Sequence, residues 1–379
     1  MQRLSTSQLL SLAILSYALD RDFVPRRGAG LRDIVDEVDR SLKRRMEKSR
    51  SRMDTLYHEQ MTYMDWFSVL DGMRVDERLC ALELCCFAHD ERDAKLLCFT
   101  ENTDDGVDAY VCFGGTGAGE WPDNCTAGYL ADSEQQLRAL QWTQDKVLGQ
   151  GFHRIVATGH SKGGNKALYV AVRLGAAIEH AVSFDGEGFS VAFLNQYRDQ
   201  IAAAASRIES YVLESDYVSG LLNPIVAPEN FHVIKAPHVN QNVEYHAPSL
   251  LYAKSDDDDP RLTLASEVDV RSSRGQMPVL LTNYMQSQLS DDELERFCDF
   301  LGAALENRYS SNLTAEERRD GFADLVKDDD FALVTKNMVA FFQSMGRVMS
   351  VADVAAFFAP PLPVPQGPTD DTSTPEHED

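Results

Sequence analysis

One stretch constrains the fold more than any other. A β-branched apolar run, "FHRIVAT" (152–158), passes into a helix-like run, "NKALYVAVRL" (165–174), across only Gly159-His160-Ser161-Lys162-Gly163-Gly164. A buried strand that feeds a helix this abruptly has the form of a nucleophile elbow, Gly-x-Ser-x-Gly. Small residues must flank the serine there, because backbone and helix crowd it. The rival reading is an inert strand-to-helix turn.

The surrounding pattern sets the fold class. "KLLCFTE" (95–101) and "DAYVCF" (108–113) flank Asp104-Asp105-Gly106, a hairpin signal with a loop longer than two residues. "HAVSFD" (180–185), "ESYVLE" (209–214) and "FHVIKA" (231–236) read as further strands. Helices are expected over 133–150, 163–175 and the alanine-rich 191–206. Strands alternating with helices imply a mostly parallel sheet with right-handed crossovers. The fold class is therefore α/β, an α/β-hydrolase-type sheet flanked by helices, with N-terminal helices and a C-terminal helical region. Three regions are expected. They are a hydrolase domain over 1–255, a helical region over 256–358 and a disordered tail over 359–379, rich in proline and acid. "KSDDDDP" (254–260) marks the boundary, and Ser290 with Glu293 and Thr314 with Glu317 have capping-box spacing.

Charge excludes some functions. The chain of 379 residues carries a net charge of −24, the wrong sign for a general nucleic-acid binder. Residues 1–53 are the exception, with 12 Lys/Arg against 7 Asp/Glu. Their basic part, "RSLKRRMEKSRSR" (40–52), reads as a solvated helix face; its functional reading is a patch for peripheral contact with anionic membrane lipid or with a partner. "LLSLAILSYAL" (9–19) lacks the flanks of a signal segment and reads as an amphipathic helix. The seven cysteines form no CxxC pair and sit mostly in apolar runs. They fit reduced thiols in a cytoplasmic protein.

A serine hydroxyl needs a histidine base, and the histidine an orienting carboxylate. In α/β-hydrolases the chain order is Ser, acid, His. Beyond Ser161, His180 and His232 are read into strands and His377 into the tail, leaving His238 and His246 after the last strand. His246, in "EYHAPSLLY", is preferred. Two carboxylates compete: Asp185, ending one strand, and Asp216, following the next. The acid usually follows the later strand, which favours Asp216 and keeps Asp185 as the alternative. The developing oxyanion needs donors. The backbone N–H of Lys162 supplies one, and the glycine-rich loop "VCFGGTGAGEW" (111–121) offers Thr116. That loop lacks the spacing of a dinucleotide fingerprint, and the reading needs neither cofactor nor metal.

"FGGTGAGEWPDN", "GHSKGGNKALYVA", "FDGEGF" and "YHAPSLLY", in this order, resemble the Mbeg1-like family (DUF2974) of bacterial α/β-hydrolases. More distantly the set is similar to class 3 lipases. Their Phe-Arg-Gly-Thr/Ser loop, elbow, Asp-x-Val and late His match Phe113 to Thr116, Gly159 to Gly163, Asp216 with Val218, and His246. The resemblance implies a serine ester hydrolase, with lipid esters such as lysophospholipids among its substrates. Two departures bear on the site. Gly114 stands where an arginine usually braces the oxyanion loop. Family members also often carry serine at the position of Asp216, which would make the "FDG" aspartate, Asp185, the acid. A reading from another class is a degenerate hydrolase fold used for binding. Lys162 is expected either to send its ammonium to water beside an acid such as Glu187 or Asp185, or to place a positive charge at the rim of the site.

Overall fold

The computed structural model describes residues 3–19, 25–90, 95–117, 119–239, 242–253, 260–310 and 313–359. The Asp-rich run 254–259 and residues 360–379 of the acidic tail lie outside them.

The chain opens with helices α1 (Thr6–Ala18) and α2 (Leu31–Ser49), a two-stranded hairpin of β1 (Leu56–His58) and β2 (Met61–Thr62), and helices α3 (Tyr63–Val75) and α4 (Glu77–Cys80). Eight further strands form one sheet: β3 (Glu83–His89), β4 (Lys95–Thr103), β5 (Gly106–Phe113), β6 (Arg154–His160), β7 (His180–Phe184), β8 (Ile208–Leu213), β9 (Phe231–Ile234) and β10 (Glu267–Val268). Their spatial order is β10-β9-β8-β7-β6-β5-β4-β3. From β5 to β9 every pairing is parallel, and the outer strands β3, β4 and β10 pair antiparallel. The architecture is that of an α/β-hydrolase-type sheet. The central strands are apolar on both faces because both faces are covered. All of β7, and β6 beyond Arg154, is buried.

Helices α5 (Trp121–Thr126), α6 (Glu134–Lys146), α7 (Lys162–Leu174), α8 (Val191–Gln196) and α9 (Arg198–Ala204) lie between strands. One core layer joins α6, α7 and α8 to one face of the sheet. The other joins α1, α2 and α3 to the opposite face. Five C-terminal helices, α10 (Ser273–Gln288), α11 (Asp291–Tyr309), α12 (Ala315–Leu325), α13 (Asp329–Ser344) and α14 (Val351–Phe358), share a separate apolar cluster including Phe297, Phe300, Val334 and Phe341. Both expected capping boxes are present there. α11 packs closely on α5: a Cβ at Gly302 would strike Pro122 Cα, 2.7 Å away.

Four expectations differ from the structure. The 9–19 run forms α1, buried from Leu9 to Tyr17 without a polar face. It is a core helix, because the sheet, α2 and α3 enclose it. The 191–206 helix is split at Tyr197, whose hydroxyl is drawn to Asp132 at 2.8 Å. β4 and β5 run further than expected, so Thr103 pairs Gly106 and only Asp104-Asp105 remain as loop. Finally, strand β3 and the β1–β2 hairpin were not anticipated. The basic run forms the outer half of α2 and its exit, where Arg40 pairs Glu37 (2.7 Å) and Lys43 pairs Asp39 (2.8 Å). Among the described residues, no helix is long and apolar enough to cross a membrane.

Candidate active site

β6 ends at His160 and α7 begins at Lys162, so Ser161 alone makes the corner. Its φ of 57° and ψ of −130° lie where a non-glycine residue is strained. The corner is held by the Ser161 N–H, donating to the Phe184 carbonyl at 2.8 Å. The flanking glycines are needed for close approach. A Cβ at Gly159 would overlap the Gly163 backbone, and one at Gly163 would overlap the Phe113 carbonyl.

The structure brings Ser161, His246 and Asp216 together. His246 lies on a 3₁₀ turn, Asn242–His246, after β9. Its Nε2 is 2.9 Å from Ser161 Oγ, and its Nδ1 is 2.7 Å from Asp216 Oδ1. Asp216, fully buried after β8, also accepts the N–H groups of Val218 (3.1 Å) and Ser219 (2.5 Å) on Oδ2. Burial favours the neutral acid, but the His246 charge and these donors outweigh it and hold the carboxyl below its ordinary range. For His246, burial works against the cation, and Asp216 outweighs it and raises the imidazole. In the neutral imidazole the carboxylate fixes Nδ1 as the protonated nitrogen and leaves Nε2 to accept from the serine.

Asp185 is placed elsewhere. It follows β7 with a φ of 46°, and its Oδ1 accepts the Leu213 N–H at 2.7 Å. Among the described residues its Oδ2 has no hydrogen-bond partner, and it lies 4.0 Å from His160 Nε2. Burial, followed by the Asp216 charge, raises its carboxyl well above the usual range. His160 is fully buried and held neutral by that burial. The Tyr17 hydroxyl reaches its Nδ1 at 2.8 Å, and its ring lies 4.7 Å from that of His246. The Tyr217 ring borders His246 on the other side at 5.4 Å.

The loop after β5 is braced from several sides. Thr116 Oγ1 accepts from Asn124 Nδ2 at 2.7 Å, which leaves its own proton for another acceptor. The Gly117 N–H donates to Glu120 at 2.7 Å. Glu120 is itself buried and paired with Arg138 at 2.7 Å. The brace absent at Gly114 comes from another position. Lys166 Nζ, buried, donates to the carbonyls of Gly114 (3.1 Å) and Gly115 (3.2 Å). Burial pulls this lysine down to about 8. Lys162 is the first residue of α7, so its N–H has no acceptor within the helix and carries the positive end of the helix dipole. Its ammonium is not in water: the side chain is 1% exposed and Nζ is 3.1 Å from Glu187 Oε1. The Asp185–Gly188 turn covers it, pinned by Asn165 Nδ2 to the carbonyls of Glu187 (3.2 Å) and Gly188 (2.9 Å). Glu187, one of the two acids expected beside it, is its partner, but the pair is buried, and neither the snorkel to water nor the rim charge is present. A cavity of about 20 Å³ beside Thr116 is lined by Tyr17, His58, Glu59 and the loop glycines. A larger one, about 430 Å³, lies between α1, the α3–α4 junction and residues 261–263, away from Ser161.

The sequence reading missed Tyr17, His160 and Lys166. Two local signals were present: His160 adjoins Ser161 in the elbow, and Lys166 lies one helical turn after Lys162 and therefore on the same face of α7.

Solved structures similar to this chain include M37 lipase, at 13% identity over 58% of this chain and 71% of the other, with a TM-score of 0.35. They also include Lip2 lipase from Yarrowia lipolytica, at 12% identity over 73% of this chain and 90% of the other, with a TM-score of 0.38. A search of curated proteins finds no match. The family model described as Mbeg1-like matches residues 97–301, more than half of the chain, and the chain belongs to the Mbeg1-like family.

Proposed function

We propose that this chain is a serine hydrolase that cleaves carboxylic esters through an acyl-enzyme. The observation that carries the reading is the unbroken row Ser161 Oγ, His246 Nε2 and Nδ1, and Asp216 Oδ1, with contacts of 2.9 and 2.7 Å. His246 takes the serine proton as Oγ attacks the ester carbonyl, and Asp216 stabilises the imidazolium. The Lys162 N–H and Thr116 receive the oxyanion, since donors fixed in place beforehand cost no reorganisation. His246 then protonates the departing alcohol. Water, activated by the same histidine, releases the acid and restores the serine. Esters of varied acyl length, lysophospholipids among them, belong in the first panel. The unpaired cysteines support a reducing, cytoplasmic setting.

The test is labelling by a fluorophosphonate, together with a panel of esters of rising chain length. Wild type should be labelled at Ser161, and Ser161→Ala should lose at least ~10⁴-fold in kcat. A folded wild-type protein that resists the probe and cleaves no ester would leave the fold as a binding module.

A further inference from the structure

Three of the cysteines meet at one point away from the hydrolase row. β3 and β4 pair with Leu84 opposite Phe99 and Cys86 opposite Cys98, so Cys85 is the extra residue of a β-bulge. A bulge sets two residues of one strand against a single residue of its neighbour. The Cys85 and Cys86 thiols both interact with that of Cys98. Cys98 is fully buried, whereas Cys85 and Cys86 are partly exposed, and all three are unpaired.

Cys86 is lowered too, by Cys98 and then by the charges of Lys146 and Arg27, but its thiol also donates to the Lys146 carbonyl at 3.8 Å, and the surroundings of Cys85 differ. Residues 28–30 pair with the free edge of β3: the Gly28 N–H donates to the Leu84 carbonyl at 2.7 Å, and the Leu84 N–H to Ala29 at 2.9 Å. This brings exposed Arg27 beside Cys85, where it adds both charge and a hydrogen bond. A cation beside a half-exposed thiol favours the thiolate, and an enclosed thiol stays protonated. Hydrogen bonding from Cys98, and then Arg27, pull Cys85 down to about 6, while its contacts with both neighbours and its burial push Cys98 well up.

We propose that Cys85 is a hydroperoxide-reactive thiol and that Cys98 resolves it to a disulfide across β3 and β4. The Cys85 thiolate attacks the terminal oxygen of a hydroperoxide. An S–O bond forms, the O–O bond breaks, and the alkoxide leaves and takes a proton from water. The sulfur is oxidised by two electrons and the peroxide reduced to an alcohol. Cys98 sulfur then attacks Cys85 sulfur. The S–S bond forms, the S–O bond breaks, and the hydroxyl departs as water with the proton of Cys98. This site does not depend on the ester-hydrolase reading.

The test uses the full chain, limiting hydrogen peroxide and dimedone, with each cysteine followed by peptide mass spectrometry. Cys85 should be labelled roughly tenfold faster than the partly exposed Cys80, because most of Cys85 is thiolate at pH 7. Without dimedone, a Cys85–Cys98 disulfide should form. Cys98→Ser should accumulate the Cys85 sulfenic acid, and Cys85→Ser should form no disulfide to Cys98. A measurement on wild type avoids any folding defect: alkylation of Cys85 by iodoacetamide should keep most of its rate from pH 8.5 to 7, while that of free cysteine, with its ordinary value of about 8.5, falls. Equal labelling of Cys85 and Cys80, or a disulfide joining Cys86 to Cys98 in its place, would overturn the assignment.

Discussion

Two rows of hydroxyl, histidine and carboxylate lie back to back at the ends of adjacent strands. One is Ser161–His246–Asp216, the other Tyr17–His160–Asp185, and their imidazoles are 4.7 Å apart. Both carboxyls are completely buried. They differ in donors. Asp216 accepts from His246, Val218 and Ser219, and stays ionised; Asp185 accepts from Leu213 on one oxygen, and is pushed towards the neutral acid. Burial alone therefore does not decide the charge of an interior carboxyl. The number of N–H groups aimed at it does, together with which neighbour ionises first. Only a row with a fixed negative end can steady an imidazolium.

The largest expected effect breaks the front row at its charge. Asp216→Asn should lower kcat by ~10⁴ in a folded protein, because His246 then presents the wrong tautomer. The variant should also respond differently to acid. A carboxyl held below its ordinary range adds stability that is present above about pH 4 and lost as pH falls through its folded value, so Asn should flatten the acid side of the melting curve. If Asp185→Asn gives the larger loss and Asp216→Asn is near normal, the rows have exchanged roles.

The two lysines of α7 repeat the contrast. Lys162 is paired with Glu187, while Lys166 has only carbonyls and, among the described residues, no carboxylate at ion-pair distance. Lys166→Met should loosen the loop that carries Thr116 and cost about 10²-fold in kcat, the scale of a lost oxyanion donor. With Lys166 titrating at about 8, its deprotonation should weaken wild-type activity above that pH, against the gain from freeing the His246 base, which is raised to about 9. Stability should move oppositely, because the unfolded chain holds the extra proton between about 8 and its ordinary value near 10.4. A pH profile in which activity and melting temperature fall together above pH 8 would remove Lys166 from this role.

Much of the front row was legible because each member ends or follows a strand-like run, and parallel strands deliver their ends to one edge of the sheet. The glycines around Ser161 marked the corner directly. The rear row was not legible. Tyr17 reaches His160 from α1, across more than a hundred residues, and nothing near Tyr17 announces that contact. The burial of Lys162 depends on a turn supplied by residues 185–188, so its own neighbours pointed to water instead. β3 escaped notice because its bulge breaks the period-two alternation that reveals a half-buried strand. The hairpin β1–β2 is too short to carry a period at all.

Asp185→Asn tests the neutral end of the rear row. Asn keeps an oxygen for the Leu213 N–H and matches the shape of a protonated carboxyl, so kcat should change by less than about tenfold. The pH dependence should shift in a defined direction. A carboxyl raised in the fold contributes stability that is complete below about pH 4 and lost as pH rises towards its folded value. Wild type should therefore lose melting temperature across that range, and Asp185→Asn should lose less. Equal slopes in the two proteins would mean that Asp185 is ionised in the fold.

The smallest effect on activity is expected at the other end of that row. Tyr17→Phe keeps the ring under Gly115, where any Cβ would meet Tyr17, and removes only the hydroxyl. That hydroxyl lies 2.8 Å from His160 Nδ1 and donates to the His160 carbonyl at 3.2 Å, both buried. Leaving a buried polar group without its partner should cost about 1–3 kcal/mol of stability. The His160 and His246 rings lie 4.7 Å apart, so the loss of the hydroxyl should reach the serine only as a slight shift of the imidazole. We expect kcat to fall less than about fivefold while the melting temperature drops clearly. The opposite pattern, a hundredfold loss of kcat with an unchanged melting temperature, would mean that the two rows exchange protons and act as one.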